Sequence, residues 1–210
     1  MTEAEWLACT DPTPMLNHLA GKVGERKARL LRVAAARLVW SEVTDPQLRA
    51  AVEVAERHAD GLDTDEELRN QSLGLYMRYS DRVPRFRAAQ FDPTSLALSC
   101  VNNSRIILSS IGGASWGLSV RYLRDRLPPA VRDIFGNPFR PVVADPAWLS
   151  STAVGLASAI YAERAFDRLP ILADVLEDAG CANPDVLAHC RSHPDHARGC
   201  WVVDLILGKA

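Results

Sequence analysis

Residues 45–59 read DPQLRAAVEVAERHA, and they carry the clearest secondary-structure signal in the chain. Asp45 is a favoured helix-capping residue, and Pro46 suits the first position of a helix. Gly61 follows as a residue typical of a helix end. Apolar side chains recur every three or four positions, at Leu48, Ala51, Val52 and Ala55. This stretch therefore predicts an amphipathic helix.

Similar signals lie on both sides of this stretch. Thr64 is followed three residues later by Glu67, which is the capping-box pattern and predicts a helix running to about Tyr79. Residues 24–40 place apolar side chains on one stripe and predict a helix before residues 45–59. We interpret the less regular segment 94–127 as two helices that break near Gly112.

Prolines are concentrated between residues 128 and 146, at Pro128, Pro129, Pro138, Pro141 and Pro146. Each proline lacks a backbone donor and restricts the residue before it. The pattern predicts an extended connector at 128–146. This connector would separate an N-terminal helical part, 1–127, from a C-terminal helical part, 147–210.

The C-terminal part also has a helical pattern. Asp145-Pro146 predicts a helix to about Phe166, and Asp167 predicts the start of another that Gly180 ends. Shorter helices are predicted at 183–190 and 196–207. The apolar stripe of the helix between Asp167 and Gly180 consists of Leu169, Leu172, Val175 and Leu176. The whole pattern predicts an all-α fold, a bundle or array of about ten helices in one body or two subdomains.

Composition restricts the class of protein. Hydrophobic residues make up 48% of the chain and charged residues 24%, which is enough apolar content to bury a core. The net charge of −2 disfavours a dedicated nucleic-acid binder. We expect a cytoplasmic protein without a membrane partner, because the sequence has no secretory leader pattern and no long apolar run.

Cysteine and histidine cluster between residues 181 and 200. This interval holds Cys181, His189, Cys190, His193, His196 and Cys200. Thiolate and imidazole are ligands that zinc prefers, and four of them close a tetrahedral site. One hypothesis is a zinc site formed by His189, Cys190, His196 and Cys200. The spacing matches no standard zinc finger, so the alternative is that the cysteines are small buried residues at helix ends.

The sequence Gly113-Ala114-Ser115-Trp116-Gly117 matches the G-x-S-x-G pattern of a nucleophile elbow. Asp174 and His196 follow in the chain order of a serine hydrolase. Such an elbow requires a parallel sheet, which a helical pattern does not supply. The competing interpretation of this segment is a glycine-permitted break between helices.

Charge is distributed unevenly along the chain. Residues 24–40 carry five basic residues and one acid, and residues 78–91 mix arginine with aromatic residues. Such patterns suit phosphate contacts and base stacking. Residues 159–185 carry an excess of acids, which also suits a carboxylate-bound metal. We interpret the charged stretches as solvated helix faces whose opposite charges complement each other.

Several longer motifs resemble a family of uncharacterised helical proteins that is abundant in planctomycete-type bacteria. They are TEAEWLAC at 2–9, RDIFGNPFRP at 132–141, YAERAFDRLP at 161–170 and RGCWVVD at 198–204. The resemblance covers about residues 2–68 and 130–209. It implies a helical fold and no particular activity, substrate or site. Where those relatives often have cysteine-rich helices, this chain has Val33-Ala34-Ala35-Ala36.

The combined prediction is a non-catalytic protein-interaction or scaffold module without a cofactor, whose partner is another protein. It follows from the lack of a coherent catalytic set and from the net charge, which disfavours nucleic acid. The first alternative is a zinc-binding protein that uses the C-terminal histidines and cysteines. The second alternative is a serine hydrolase with Ser115 as nucleophile.

Overall fold

The computed structural model describes residues 1–79, 93–101, 121–192 and 195–209. Within these ranges the protein is all-α, as predicted, with eleven α-helices, two short 3-10 helices and no strand. The α-helices are α1 Glu3–Ala8, α2 Pro12–Leu19, α3 Glu25–Leu38, α4 Pro46–Ala59, α5 Asp65–Tyr79, α6 Pro93–Val101, α7 Leu127–Phe135, α8 Ser151–Glu163, α9 Leu169–Asp178, α10 Pro184–Ser192 and α11 Trp201–Leu207. None of these helices has the length and apolar character needed to cross a membrane.

The predicted caps are present in the structure. Asp45 Oδ1 accepts a hydrogen bond from the backbone N–H of Gln47 at 2.8 Å, and α4 begins at Pro46. The backbone N–H of Glu67 donates to Thr64 Oγ1 at 3.2 Å, while Glu67 Oε2 accepts from the Thr64 N–H at 2.7 Å. This reciprocal pair is the capping box that opens α5.

The chain divides into two compact units. The first unit comprises Met1 and Ala8–Pro128. In this unit α3, α4 and α6 pack on one another, and α5 packs against α4 and α6. Its buried side chains include Leu30, Leu31, Ala35, Leu48, Val52, Ala55, Leu68, Leu75, Leu96 and Cys100.

The second unit comprises Thr2–Leu7 and Pro129–Ala210. In it α8 packs against α9 and α11, and α9 packs against α10. Its core is formed mainly by Ala157, Ile160, Leu169, Leu172, Leu176, Val186, Cys190, Cys200, Val202, Val203 and Ile206. Trp6 of α1 is fully buried as well. The six residues Thr2–Leu7 thus form part of the same compact unit as residues more than a hundred positions later.

The segment predicted as a connector contains a helix. Helix α7 covers Leu127–Phe135, and the chain is non-helical from Gly136 to Asp145. Pro128 and Pro129 are accommodated because the first turn of a helix needs no backbone donors. The unit boundary lies between these two prolines, at the start of the predicted connector.

Two other helices begin later than the sequence pattern indicates. Asp145 caps only a 3-10 helix, Pro146–Trp148, and α8 begins after Ser150, whose Oγ accepts from the Ala153 N–H at 3.2 Å. The last helix starts at Trp201, so His196 lies in the non-helical segment before it. This later start allows the His196 side chain to turn toward α7.

Candidate metal centre

A buried carboxylate lies near the end of α7. Asp133 has no exposed surface, and its neighbours Val131 and Ile134 are core residues. Its Oδ1 atom lies 2.6 Å from Nδ1 of His196 and 3.2 Å from Nε2 of His189. A buried charge needs such partners, because removing an isolated carboxylate from water is very unfavourable. Asp133 is therefore the anionic centre of a buried polar cluster in the second unit.

The other oxygen of Asp133 is held by the backbone. The N–H of Ala197 donates to Asp133 Oδ2 at 2.9 Å. This bond anchors the non-helical segment 195–200 to α7 and sets the rotation of the carboxylate. Oδ1 consequently faces the two histidines. An outer hydrogen bond of this kind is typical of carboxylates that ligate metals.

Cys200 completes the cluster from the residue before α11. A turn with Gly199 at φ +93° leads into it, and the Cys200 N–H donates to the Ala197 carbonyl at 3.0 Å. Its Sγ atom lies 3.3 Å from Nε2 of His189 and 3.8 Å from Nδ1 of His196. The thiol thus lies against the same two ring nitrogens as Asp133.

These four side chains converge on one point. Their ligand atoms, one from each of Asp133, His189, His196 and Cys200, all lie within 4.8 Å of one another. In a tetrahedral zinc site with bonds of about 2.0–2.3 Å, ligand atoms lie roughly 3.3–3.8 Å apart. Three of the four separations given above fall within about 0.1 Å of that range. The fourth, the 2.6 Å between Asp133 and His196, would have to widen.

Each imidazole points a single nitrogen at both the acid and the thiol. His189 does so with Nε2 and His196 with Nδ1. In a nucleophilic relay, one ring nitrogen contacts the nucleophile and the other contacts the acid. A metal centre requires the opposite arrangement, with one nitrogen from each ring directed at a common point. The geometry therefore suits a metal rather than a catalytic relay.

Burial also makes Cys200 a poor nucleophile in this arrangement. Its side chain is inaccessible, and burial together with the negative charge of Asp133 raises the pKa of its thiol well above the usual value. A reactive cysteine needs the reverse, an accessible thiol with a lowered pKa. A divalent cation at the centre would reverse this balance, because its charge favours the thiolate.

Asp133 is ionised in the cluster. Burial acts to raise the pKa of its carboxyl group, but hydrogen bonds from His189 and His196 and their positive charge outweigh burial and lower it to about 2. The cluster is therefore arranged around a negative charge that has to be balanced. Positive charge on the two histidines supplies that balance without a metal, and a divalent cation would replace that charge by binding the rings in their neutral form.

Aromatic packing holds the His189 ring in place. The ring of Trp201 lies against it, with 5.2 Å between ring centroids, and the His196 ring meets it edge-on at 4.9 Å. Trp201 in turn packs closely on Gly136, where an added Cβ would lie 3.1 Å from the indole. Neighbouring residues of this kind orient ligands and are typical of metal sites.

Three of the four predicted metal ligands, His189, His196 and Cys200, are brought together. Cys190 is outside the group and lies in the apolar core with Cys181. Successive residues on a helix point in directions about 100° apart. His189 can therefore face the cluster while Cys190 faces the core. His193, which lies between these histidines in sequence, is outside the described residues.

Asp133 is the member of this cluster that sequence reasoning missed. It lies in the RDIFGNPFRP motif, far from the histidines and cysteines in sequence. Its only local signal is an acid between the apolar residues Val131 and Ile134. Carboxylates on helices usually face water, so that signal alone does not identify a ligand.

The basic residues of α3 are engaged within the first unit. Arg29 and Arg32 are buried and donate to the carbonyls of Cys100 at 3.1 Å and Ser99 at 3.0 Å, at the end of α6. Arg37 forms an ion pair with Glu56 at 3.2 Å. Arginine donors near the C-terminal part of a helix interact favourably with its carbonyls and its dipole. These three arginines therefore have structural roles rather than forming a solvated face.

Other predicted features have different outcomes. Ser115, the nucleophile of the hydrolase alternative, lies outside the described residues, as does most of the basic stretch 78–91. Two acids of the C-terminal part, Asp174 and Glu177, pair with Arg191 of α10 at 2.7 and 2.5 Å. These contacts with Arg191 are surface ion pairs, which contribute little to stability.

Comparisons with known proteins do not assign the chain to a family. No protein-family model, no curated protein and no solved structure matches it. The resemblance to the planctomycete family stays a prediction based on the motifs. The arrangement of Asp133, His189, His196 and Cys200 is therefore the main guide to function.

Proposed function

We propose that this protein is a non-catalytic zinc protein whose ion stabilises the second unit. One observation carries the proposal: single donor atoms of Asp133, His189, His196 and Cys200 converge on a common point. Among the residues that the structure describes, no comparable convergence of side chains supports another of the predicted functions. The zinc alternative raised by the sequence thus has the strongest support, with Asp133 in place of Cys190.

The donor set favours zinc over other common ions. It combines one thiolate, two imidazoles and one carboxylate, all of which zinc accepts. Calcium and magnesium prefer sites made of oxygen atoms alone. Copper binds more tightly to most such sites, but geometry and availability decide the ion in cells. A tetrahedral N2OS set is consistent with Zn²⁺, and Co²⁺ can serve as a spectroscopic substitute.

Four protein ligands suit a structural role for the ion. Catalytic zinc sites usually have three protein ligands and keep one position for water or substrate. Here Asp133 Oδ1 occupies the fourth position while its Oδ2 is engaged by Ala197. The site is also buried, with His196 1% and Asp133 0% exposed. The His189 side chain is 12% exposed, and a largely buried site of this kind is suited to linking protein segments.

The ion would connect three segments that are distant in sequence. Asp133 comes from α7, His189 from α10, and His196 and Cys200 from the segment before α11. Binding energy for the folded site alone appears directly as folding stability. Free zinc at 1,000 times its dissociation constant would stabilise the unit by about 4 kcal/mol. A protein-interaction role remains a prediction with which such a stabilised module is compatible.

The test is metal analysis combined with matched variants. Elemental analysis of the purified full chain should give one zinc per chain, and Co²⁺ should produce the visible absorption of a tetrahedral thiolate site. Cys200→Ala should lose the ion and the spectrum. Cys190→Ala, an equivalent change at a buried cysteine outside the group, should retain both.

Each alternative result has a clear meaning. Loss of zinc in Cys190→Ala with retention in Cys200→Ala would favour a different ligand set. Absence of zinc or cobalt binding by the unmodified chain would overturn the proposal without reliance on any variant. A five-coordinate cobalt spectrum would indicate an open position and contradict the structural role.

A further inference from the structure

Helix α1 has only six residues, Glu3–Ala8, and depends on its packing for stability. Isolated helices of this length are unstable in water, because the cost of nucleation exceeds the gain from so few hydrogen bonds. Its position therefore depends on contacts made elsewhere in the second unit. Those contacts begin with Trp6, whose side chain is fully buried.

The contacts of α1 fall on the segment that supplies Asp133. The Trp6 indole Nε1–H donates to the carbonyl of Gly136 at 3.2 Å. Arg132 donates through Nη2 to the carbonyls of Trp6 at 3.2 Å and Leu7 at 3.1 Å. Arg132 thus satisfies carbonyls at the end of α1 while its neighbour in sequence, Asp133, faces the metal site.

A second set of contacts holds the beginning of α1. Asn137 donates through Nδ2 to Glu3 Oε1 at 2.7 Å. Arg140 forms an ion pair with the same oxygen at 2.5 Å. Both residues follow Gly136 in the non-helical segment after α7. All of these partners of α1 lie between residues 132 and 140.

The metal site is in contact with this segment through two routes. Asp133 is one ligand and lies three residues before Gly136 on the last turn of α7. The other route runs from His189 through the Trp201 ring, which packs on the Gly136 backbone. The ligands thus fix both α7, which ends just before Gly136, and the indole that packs on Gly136.

We infer that zinc at this site holds α1 in place, so that loss of the ion releases α1 before α8, α9 and α11 of the second unit unfold. This inference rests on the proposed zinc site and adds a metal-controlled element to it. The physical basis is the difference in local stability between a short helix and the apolar core of α8, α9 and α11. Segments with few buried contacts open first when a shared support is lost.

Hydrogen–deuterium exchange on the full chain tests the inference. Zinc-loaded protein and protein treated with a chelator are compared, and the metal content of each sample is measured. Removal of zinc should accelerate exchange in a peptide covering residues 2–8 by about ten-fold or more relative to α8. Helix α4, in the first unit, serves as a reference that should not change.

Trp6→Phe provides a matched variant that leaves all four ligands intact. It removes the indole donor to Gly136 and should bind one zinc per chain. Its residues 2–8 should exchange rapidly even with zinc bound. Protection of this peptide equal to that of the unmodified protein would contradict the role of the Trp6–Gly136 bond.

The possible results distinguish the release of α1 from the zinc site itself. If the chain binds one zinc but exchange at residues 2–8 does not respond to the ion, the release of α1 is overturned and the zinc site stands. Equal acceleration in α1 and α8 would also overturn the release of α1, since the ion would then stabilise the unit as a whole. If the chain binds no zinc, both fail.

Discussion

The Nδ1 atom of His196 lies 2.6 Å from Oδ1 of Asp133, although 63 residues separate them in sequence. Both side chains are buried, so the pair cannot be stabilised by bulk water. The free-energy cost of burying this pair is offset by additional contacts with His189, Cys200 and the Ala197 N–H. Breaking such a buried set at one member leaves the others without compensation, which is strongly destabilising.

Asp133→Asn should lower zinc affinity by at least about 100-fold, because it removes the only anionic oxygen ligand while preserving shape. Affinity can be measured by competition with a chromophoric chelator. Asp174→Asn is the control, since Asp174 is an exposed acid that pairs with Arg191. Equal affinity of Asp133→Asn and the unmodified chain would remove Asp133 from the ligand set.

Gly136→Ala should destabilise the second unit by about 1–2 kcal/mol, because a side chain disfavours positive φ. Gly136 has φ +63°, and an added Cβ would lie 3.1 Å from the Trp201 ring. Gly155→Ala is the control, since Gly155 lies within α8 with open space around it. That change should stabilise by about 0.5–1 kcal/mol. Urea unfolding at fixed, saturating zinc measures both, and equal effects would contradict the prediction.

Cys100 should resist alkylation in the folded protein at pH 9. Burial raises the pKa of its thiol to about 12, although Arg32 and Arg29 oppose part of that rise. Cys9, which is only partly buried, should react first with iodoacetamide, as followed by peptide mass spectrometry. In urea both should react. Rapid labelling of Cys100 without denaturant would contradict its burial.

The same shift predicts how Cys100 affects stability at alkaline pH. Its pKa is raised in the folded state, so the unfolded chain loses the thiol proton first. The protonated Cys100 thiol therefore stabilises the folded state fully below the unfolded thiol's pKa of about 8.5. This stabilisation is lost as the pH rises from there toward 12. Cys100→Ala should therefore show a smaller loss of unfolding free energy over this interval.

Thr64→Ala should destabilise the first unit by about 1 kcal/mol, because it removes the hydroxyl that caps α5. The Glu67 N–H would lose its acceptor, and the reciprocal bond to the Thr64 N–H would lose its support. Thr64→Ser retains the hydroxyl and serves as the control. Indistinguishable denaturation midpoints for the two variants would show that the capping box is not important for stability.

Local features of the fold were predictable from sequence because their causes lie within a few residues. Asp45 caps α4 through its own side chain, and Thr64 caps α5 in the same way. Gly61 and Gly180, at φ +71° and +88°, follow α4 and α9 as expected for residues that tolerate positive φ. The residues that produce each of these signals lie within about one helical turn of one another.

Features that depend on distant residues were not predictable in this way. Cys200 precedes α11 without a side-chain cap, so no local pattern indicates that the helix starts at Trp201 rather than near His196. The role of Asp133 depends on histidines more than fifty residues later. The packing of Trp6 on Gly136 spans 130 positions. Only a folded chain brings such residues together.

The membership of residues 2–7 in the second unit has a consequence for the order of events on the ribosome. Trp6 is synthesised long before Gly136, whose carbonyl accepts its hydrogen bond. The indole therefore has no acceptor in Gly136 until the 129 intervening residues have been added. The residues of the first unit, by contrast, are all synthesised before residues 129–210 of the second unit. Contacts of such long sequence separation form slowly. A fragment that starts at residue 129 would lack the indole altogether, whereas a rearranged gene that encodes residues 2–7 after residue 209 would place it closer in sequence to Gly136 and after it.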